Sequence, residues 1–315
     1  MVKFSDTEEG NLIHLSNPGL IPSNLVKSFY ETVESGFGSA GLKEDLLNEF
    51  ERDSQEYPAY LWESNGEPLS FYIYRYNNKK AEILWCHQIK ALFPVEKFLR
   101  PAIEQLIIAF LDDLGAEKIY SFFSFKSSII GIDLLSMILP ELEFKKFGVE
   151  IMETAIDIDE QFELPHLPTG FRCTAWKVEK TNEAAELMAR VGDDFINYVQ
   201  LDQNECRDFI NEVFDPGMSR LVTNQQGEIV AFINFDRKGW IGQVFTDREY
   251  QGKGIGKYLL MYALKSLSEK NTKKSSLGVL SSNKRAIKLY REFGFESRTV
   301  KPIWAWIVPP GFELY

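Results

Sequence analysis

Three glycines spaced one residue apart in Gln251-Gly252-Lys253-Gly254-Ile255-Gly256 constrain this chain most, because of what flanks them. Trp240 to Thr246 reads as a strand, and from Gly254 to Leu267 the apolar residues Ile255, Leu259, Leu260, Ala263, Leu264 and Leu267 keep helical spacing. A strand that turns through glycine into a helix belongs to an α/β fold and presents unpaired N–H groups at the helix N-terminus. Those donors, the positive end of the helix dipole and the missing Cβ atoms favour a phosphate, a diphosphate above all. Gln251, Gly252, Lys253, Gly254, Ile255, Gly256 and Lys257 are therefore candidates to hold the phosphates of a nucleotide cofactor. Taken alone, the loop is equally read as a glycine turn that starts a helix. The P-loop pattern fails here, since no Gly-Lys is followed by Ser or Thr at the required spacing. The dinucleotide pattern Gly-x-Gly-x-x-Gly fails too, because its last glycine would fall on Lys257 or Leu259.

Around this junction the chain reads as alternating strands and helices in two halves. In the first, Ala59–Glu63, Leu69–Tyr76 and Ala81–Gln88 are strands separated by Asn-Gly and Asn-Asn turn signals. A helix over Arg100–Leu114, a strand over Ile119–Phe125, a helix over Ile129–Leu139 and a closing strand over Phe147–Ile158 follow. Residues 159–170, with Pro165, Pro168 and Gly170, read as a linker between domains spanning 1–158 and 171–315. The second half repeats the order: a strand over Phe171–Val178, helices over Asn182–Val191 and Gln203–Phe214, and a hairpin of Arg220–Thr223 with Glu228–Phe235. After the glycine loop and its helix come a strand over Ser276–Leu280, a helix over Asn283–Phe293 and a last strand over Ile303–Val308.

That last helix carries the second informative pattern, Asn283, Ala286, Leu289-Tyr290 and Gly294-Phe295. With Gln251, Gly254 and Gly256 it resembles the Gcn5-related N-acetyltransferase (GNAT) superfamily over about residues 171–315. The resemblance implies an α/β fold with a mixed sheet, built as two tandem acyl-CoA N-acyltransferase domains. It implies acetyl-CoA as the acyl donor, a primary amine as acceptor, direct attack within a ternary complex, and no metal. It also implies that Val244, Phe245 and Thr246 splay from the strand at Ser276–Leu280 and bond the pantetheine arm, that Asn283 hydrogen-bonds the donor, and that Tyr290 is the catalytic acid protonating the departing thiolate. Members of this superfamily often place a glutamate on the strand before the loop. Here that strand holds Gln243, and Asp236, Asp193 and Asp194 are the candidates for proton acceptor.

Charge and composition narrow the partners. The net charge is −11, yet residues 251–298 hold eleven Lys and Arg against three acids. An acidic chain is a poor match for nonspecific nucleic-acid binding. Its basic island suits either a small polyanion or a solvated helix face. No apolar run approaches the roughly 20 residues of a membrane span, and the first residues lack a secretory pattern, so the expected location is the cytoplasm. The scattered Cys86, Cys173 and Cys206 and His14, His87 and His166 show no metal-ligand spacing. The acidic run Glu183, Glu186, Asp193, Asp194, Asp202, Glu205 and Asp208 suits a cationic amine if it faces the acceptor site, and a solvated helix surface otherwise. Trp304 and Trp306 share one strand face, as core or as lining of the acceptor pocket. In the first half the equivalent of the glycine loop, Ala91 to Pro101, has no glycine and includes Pro94 and Pro101, which lack N–H donors. That half is therefore expected to be a degenerate copy. The expected acceptor is a small-molecule amine, with a peptide acceptor, or a module that binds acyl-CoA without turning it over, as the competing readings.

Overall fold

The computed structural model describes residues 10–16, 18–36, 40–77, 79–88, 95–121, 139–156, 163–211 and 215–308. The chain divides into two compact units, residues 1–147 with 301–315, and residues 148–300.

In the first unit β1 (Asn11–Leu15), β2 (Ala59–Ser64), β3 (Glu67–Asn77) and β4 (Lys80–Gln88) form an antiparallel run. Asn65 and Gly66 join β2 to β3 with both φ positive, the backbone that a tight two-residue hairpin demands and that Asn-Gly supplies. Helices α1 (Ser23–Gly36) and α2 (Ala40–Glu56) precede β2, and α3 (Val95–Asp112) crosses from β4 to the parallel β5 (Lys118–Ser121). The helix begins five residues before the expected Arg100 and carries Pro101 inside it. Arg100 braces the start by pairing with Glu104 one turn on. The expected helix over 129–139 falls almost wholly outside the described residues, as do the end of the strand over 119–125 and residues 91–94 of the glycine-free segment.

In the second unit β7 (Arg172–Ala175), β8 (Arg220–Thr223), β9 (Ile229–Phe235) and β10 (Trp240–Thr246) are antiparallel in turn, and β11 (Lys274–Leu280) lies parallel to β10. Helices α4 (Thr181–Val191), α5 (Asp194–Val199) and α6 (Gln203–Asn211) come before β8; α7 (Ile255–Ser268) crosses from β10 to β11, and α8 (Lys284–Glu292) follows. Every residue of β9 is buried, which is why it reads as an unbroken apolar run with one interruption, Asn234. Ile255, Leu259, Leu260, Ala263, Leu264 and Leu267 of α7 are all buried in the core beside it, as their spacing predicts.

The strands that close each sheet differ from the contiguous halves expected. Residues 149–155 of β6 (Lys145–Ala155) pair with β11 and put Met152 into the core of the second unit. Residues 304–307 of β12 (Glu296–Ile307) pair with β5 in the first. Trp304 and Trp306 are accordingly buried in the first unit's core with Tyr60, Tyr74 and Phe110, and do not line an acceptor pocket in the second. Each unit thus has the strand order of four antiparallel strands, a parallel fifth and an antiparallel sixth drawn from a segment remote in sequence.

Candidate active site

The site begins where two strands part. β10 and β11 pair at Trp240–Ser276 and Ile241–Leu277 and no further, while β10 keeps its bonds to β9 through Thr246 and β11 its bonds to β6 through Leu280. A bulge between Ile241 and Gln243 starts the divergence, since an extra residue bends the strand that carries it. Asn234 pins that bulge from β9. Its Oδ1 accepts from the Gln243 amide at 2.5 Å and its Nδ2 donates to the Ile210 carbonyl at 3.0 Å, with Asn234 and Ile210 both fully buried. The lone polar residue in an apolar strand is thus the fastening of the bend.

At the open end β10 runs into the glycine loop. Asp247 anchors it: the buried carboxylate takes a bond from Arg190 of α4 at 2.5 Å and another from the Glu249 amide. Gly254 is the N-cap of α7 with φ of +85°, a conformation that glycine reaches without strain, and it offers no capping side chain. The backbone amides of residues 252–257 consequently find no acceptor among the described residues. Such a row of donors at a helix N-terminus is suited to an anion. Gly256 adds a separate clue: its φ is not positive, and a Cβ there would meet only Leu289 and Thr246, both at 3.8 Å. Neither backbone nor neighbours require glycine at 256.

The facing wall is α8. Asn283 caps it through Oδ1, which accepts from the Ala286 amide at 3.1 Å, leaving Nδ2 for a ligand. The helix ends with Gly294 at φ of +77° and the Phe295 amide bonded back to the Tyr290 carbonyl at 3.1 Å, the left-handed stop that glycine permits. That stop returns the buried Phe295 against the Tyr290 ring, 5.9 Å between centroids. The Gly-Phe pair therefore serves to seat Tyr290. Between the two walls lies a cleft of about 680 Å³, which Val244, Thr246, Gly254, Gly256, Asn283 and Tyr290 all line. Burial alone pushes the Tyr290 phenol up to about 12, and its hydroxyl has no hydrogen-bond partner among the described residues. It is a protonated, uncommitted donor at neutral pH.

Residues 185–295 match the acetyltransferase (GNAT) family, a segment that contains the parted strands, the loop and α8. This segment belongs to the GNAT family. A mycothiol acetyltransferase of Saccharomonospora viridis is 29% identical over 172 residues, 49% of this chain and 56% of the relative. A probable spermine N(1)-acetyltransferase of Bacillus subtilis subsp. natto is 34% identical over 83 residues, 22% of this chain and 55% of the relative. The chain thus spans little more than half the length of these relatives. The GNAT fold extends over both units: a solved GCN5-related N-acetyltransferase from Sphaerobacter thermophilus covers 99% of each chain with a TM-score of 0.61 at 17% identity. A tandem GNAT protein from the clavulanic acid biosynthesis pathway covers 96% of this chain and 100% of its own with a TM-score of 0.53 at 12% identity.

Most of the residues expected to form the GNAT site meet at the cleft, Gln251, Gly252, Ile255 and Lys257 included. Phe245 does not. It points to the other side of β10 and stacks on Phe232 at 5.5 Å, as strand alternation dictates. Lys253 also stays off the lining, its ammonium 4.9 Å from the Tyr250 ring centre. Arg285 and Lys288 line the cleft without having been singled out; their one signal was membership of the basic island. Two of the three candidate bases, Asp236 and Asp193, are bound up in local structure. Asp236 accepts from the Lys238 and Trp240 amides in its hairpin. Asp193 caps α5 through the Ile196 amide, and burial pushes its carboxyl up, against the opposing pull of that bond. In the acidic run Asp202 and Glu205 bond each other's amides as a capping box, and Glu183 pairs with Lys180. No helix among the described residues is long and apolar enough to cross a membrane.

Proposed function

We propose that the chain is an acetyl-CoA-dependent N-acetyltransferase that acts on a primary amine of a small molecule. The observation that carries this reading is the row of amides over 252–257 without an acceptor among the described residues, opening onto a cleft that runs past the end of β10 to Tyr290. Those amides and the start of α7 hold the donor's diphosphate. The pantetheine arm takes the place of the missing β10–β11 bonds, beside Val244 and Thr246. The thioester then lies near Tyr290, where the amine attacks its carbonyl carbon directly. As the tetrahedral adduct collapses, the C–S bond breaks and the phenol gives its proton to the sulfur. Gln243 stands where a carboxylate would accept the amine's proton; an amide cannot take it, so the amine enters the site as the free base, and the proton its nitrogen sheds on becoming an amide returns to the Tyr290 phenolate.

A small-molecule acceptor is supported by relatives named a mycothiol acetyltransferase and a probable spermine N(1)-acetyltransferase. The first unit, with the same strand order but no glycine between Ala91 and Pro101, is a copy that does not hold a donor. Thiol release from acetyl-CoA against a panel of polyamines, amino sugars and peptides tests the proposal. Turnover with a small amine supports it. Turnover with peptides alone overturns the acceptor class, and tight donor binding without any turnover overturns the enzyme reading.

A further inference from the structure

The Gln251 side chain is spent on the protein itself. Its Nε2 donates to the Thr246 carbonyl at 3.0 Å and its Oε1 accepts from Arg285 Nη1 at 2.7 Å. Those two bonds fix which end of the amide is which, and they make Gln251 a strut between the end of β10 and the first turn of α8. The strut places a guanidinium over the start of the glycine loop: Nη2 of Arg285 lies 3.6 Å from where a Cβ on Gly252 would stand.

Arg285 has no carboxylate partner among the described residues. By contrast Arg190, Arg237 and Arg298 pair with Asp247, Asp215 and Glu153. A guanidinium carries five N–H donors in a rigid fork. One goes to Gln251, and four remain at the rim of the cleft. Lys288, one turn further along α8, lines the same cleft.

This positive site stands beside the six amides of residues 252–257, which have no acceptor among the described residues and suffice for a diphosphate. An acetyl-CoA donor carries one more phosphate, the monoester on the ribose 3′ position, whose terminal oxygens suit a guanidinium fork. We infer that Arg285, braced by Gln251 and assisted by Lys288, reads the 3′-phosphate and so distinguishes coenzyme A from carriers that lack it. This rests on the acetyl-CoA reading proposed above.

Calorimetric titration of the full chain with coenzyme A and with 3′-dephospho-coenzyme A tests the inference without turnover. The wild type binds coenzyme A about tenfold more tightly, the scale of one charge-assisted bond at an exposed site. Arg285→Ala brings coenzyme A down to the dephospho ligand's affinity and leaves the latter within about twofold; Gln251→Ala loses part of the preference. Equal wild-type affinities overturn the inference. So does an Arg285→Ala protein weakened equally toward both ligands, which assigns the guanidinium to the diphosphate. An undiminished preference in Gln251→Ala overturns the bracing. Failure of both ligands to bind overturns the donor reading and the inference together.

Discussion

Replacing Tyr290 by phenylalanine separates chemistry from packing at this site. The ring sits in the core against Phe295, while the hydroxyl has no hydrogen-bond partner among the described residues. Its removal orphans no group, so stability at pH 7 changes by less than about 0.5 kcal/mol. The loss falls on turnover. A positioned general acid contributes roughly 10²- to 10⁴-fold, which at about 1.36 kcal/mol per factor of ten is some 2.7 to 5.5 kcal/mol of barrier. The alkaline limb gives an independent reading. Burial holds the folded-state phenol at about 12 against an ordinary value of 10.0, so the proton is bound more tightly in the folded chain. That contribution is whole below pH 10 and is lost between pH 10 and 12, amounting to about 2.7 kcal/mol at roughly 1.36 kcal/mol per pH unit. The phenylalanine protein lacks this loss and unfolds less readily in alkali relative to neutral pH. Thiol release at saturating donor and amine, with donor affinity by calorimetry and denaturant melts at pH 7 and 11, checks all three. A turnover number within twofold of the wild type removes Tyr290 from the mechanism. A fall in rate matched by a fall in stability at pH 7 makes its role structural.

Gly256→Ala places a methyl in ordinary contact with Leu289 and Thr246 at a helical position, so the unfolding free energy holds or rises, by up to about 0.5 to 1 kcal/mol of helix propensity. Donor affinity falls at least tenfold, and unchanged calorimetric affinity would show that nothing lies against that helix start. Asn234→Ala orphans the half-buried Gln243 amide and the buried Ile210 carbonyl, costing about 2 to 6 kcal/mol at roughly 1 to 3 kcal/mol each, and raises the KM for acetyl-CoA as the bulge relaxes; equilibrium unfolding within 1 kcal/mol of the wild type contradicts the fastening role. The free-base proposal predicts that kcat/KM climbs with pH toward the amine's own pKa, with a slope near one on a logarithmic plot, and that amines of lower pKa shift the rise downward; a rise at one pH for every amine would point to an enzymic base.

The loop and the α8 motif were legible because each is a short stretch whose backbone demands are local. Glycine at a helix start, asparagine at a cap and glycine before phenylalanine at a helix end are choices made by neighbours in sequence. Strand partnership is different. The sequence pattern marks residues 147–158 and 303–308 as strands and shows that Trp304 and Trp306 share a face, but nothing in a strand's own pattern states which sheet it completes. That is decided by distant partners, here β11 and β5. The role of Asn234 was hidden for the same reason, since its two partners are 9 and 24 residues away. The acidic run could have been read more fully: Asp202-x-x-Glu205 carries the spacing of a capping box, which accounts for two of its carboxylates without any ligand. Arg285 is intelligible only through Gln251, 34 residues earlier.

A crystal grown with coenzyme A puts the anion site to direct trial. The diphosphate should lie within hydrogen-bond distance of the amides of residues 252–257, with the thiol directed between β10 and β11 toward Tyr290. Density for the diphosphate elsewhere, or those amides still without an acceptor in crystals that hold the nucleotide, would contradict the assignment of this corner as the donor's grip.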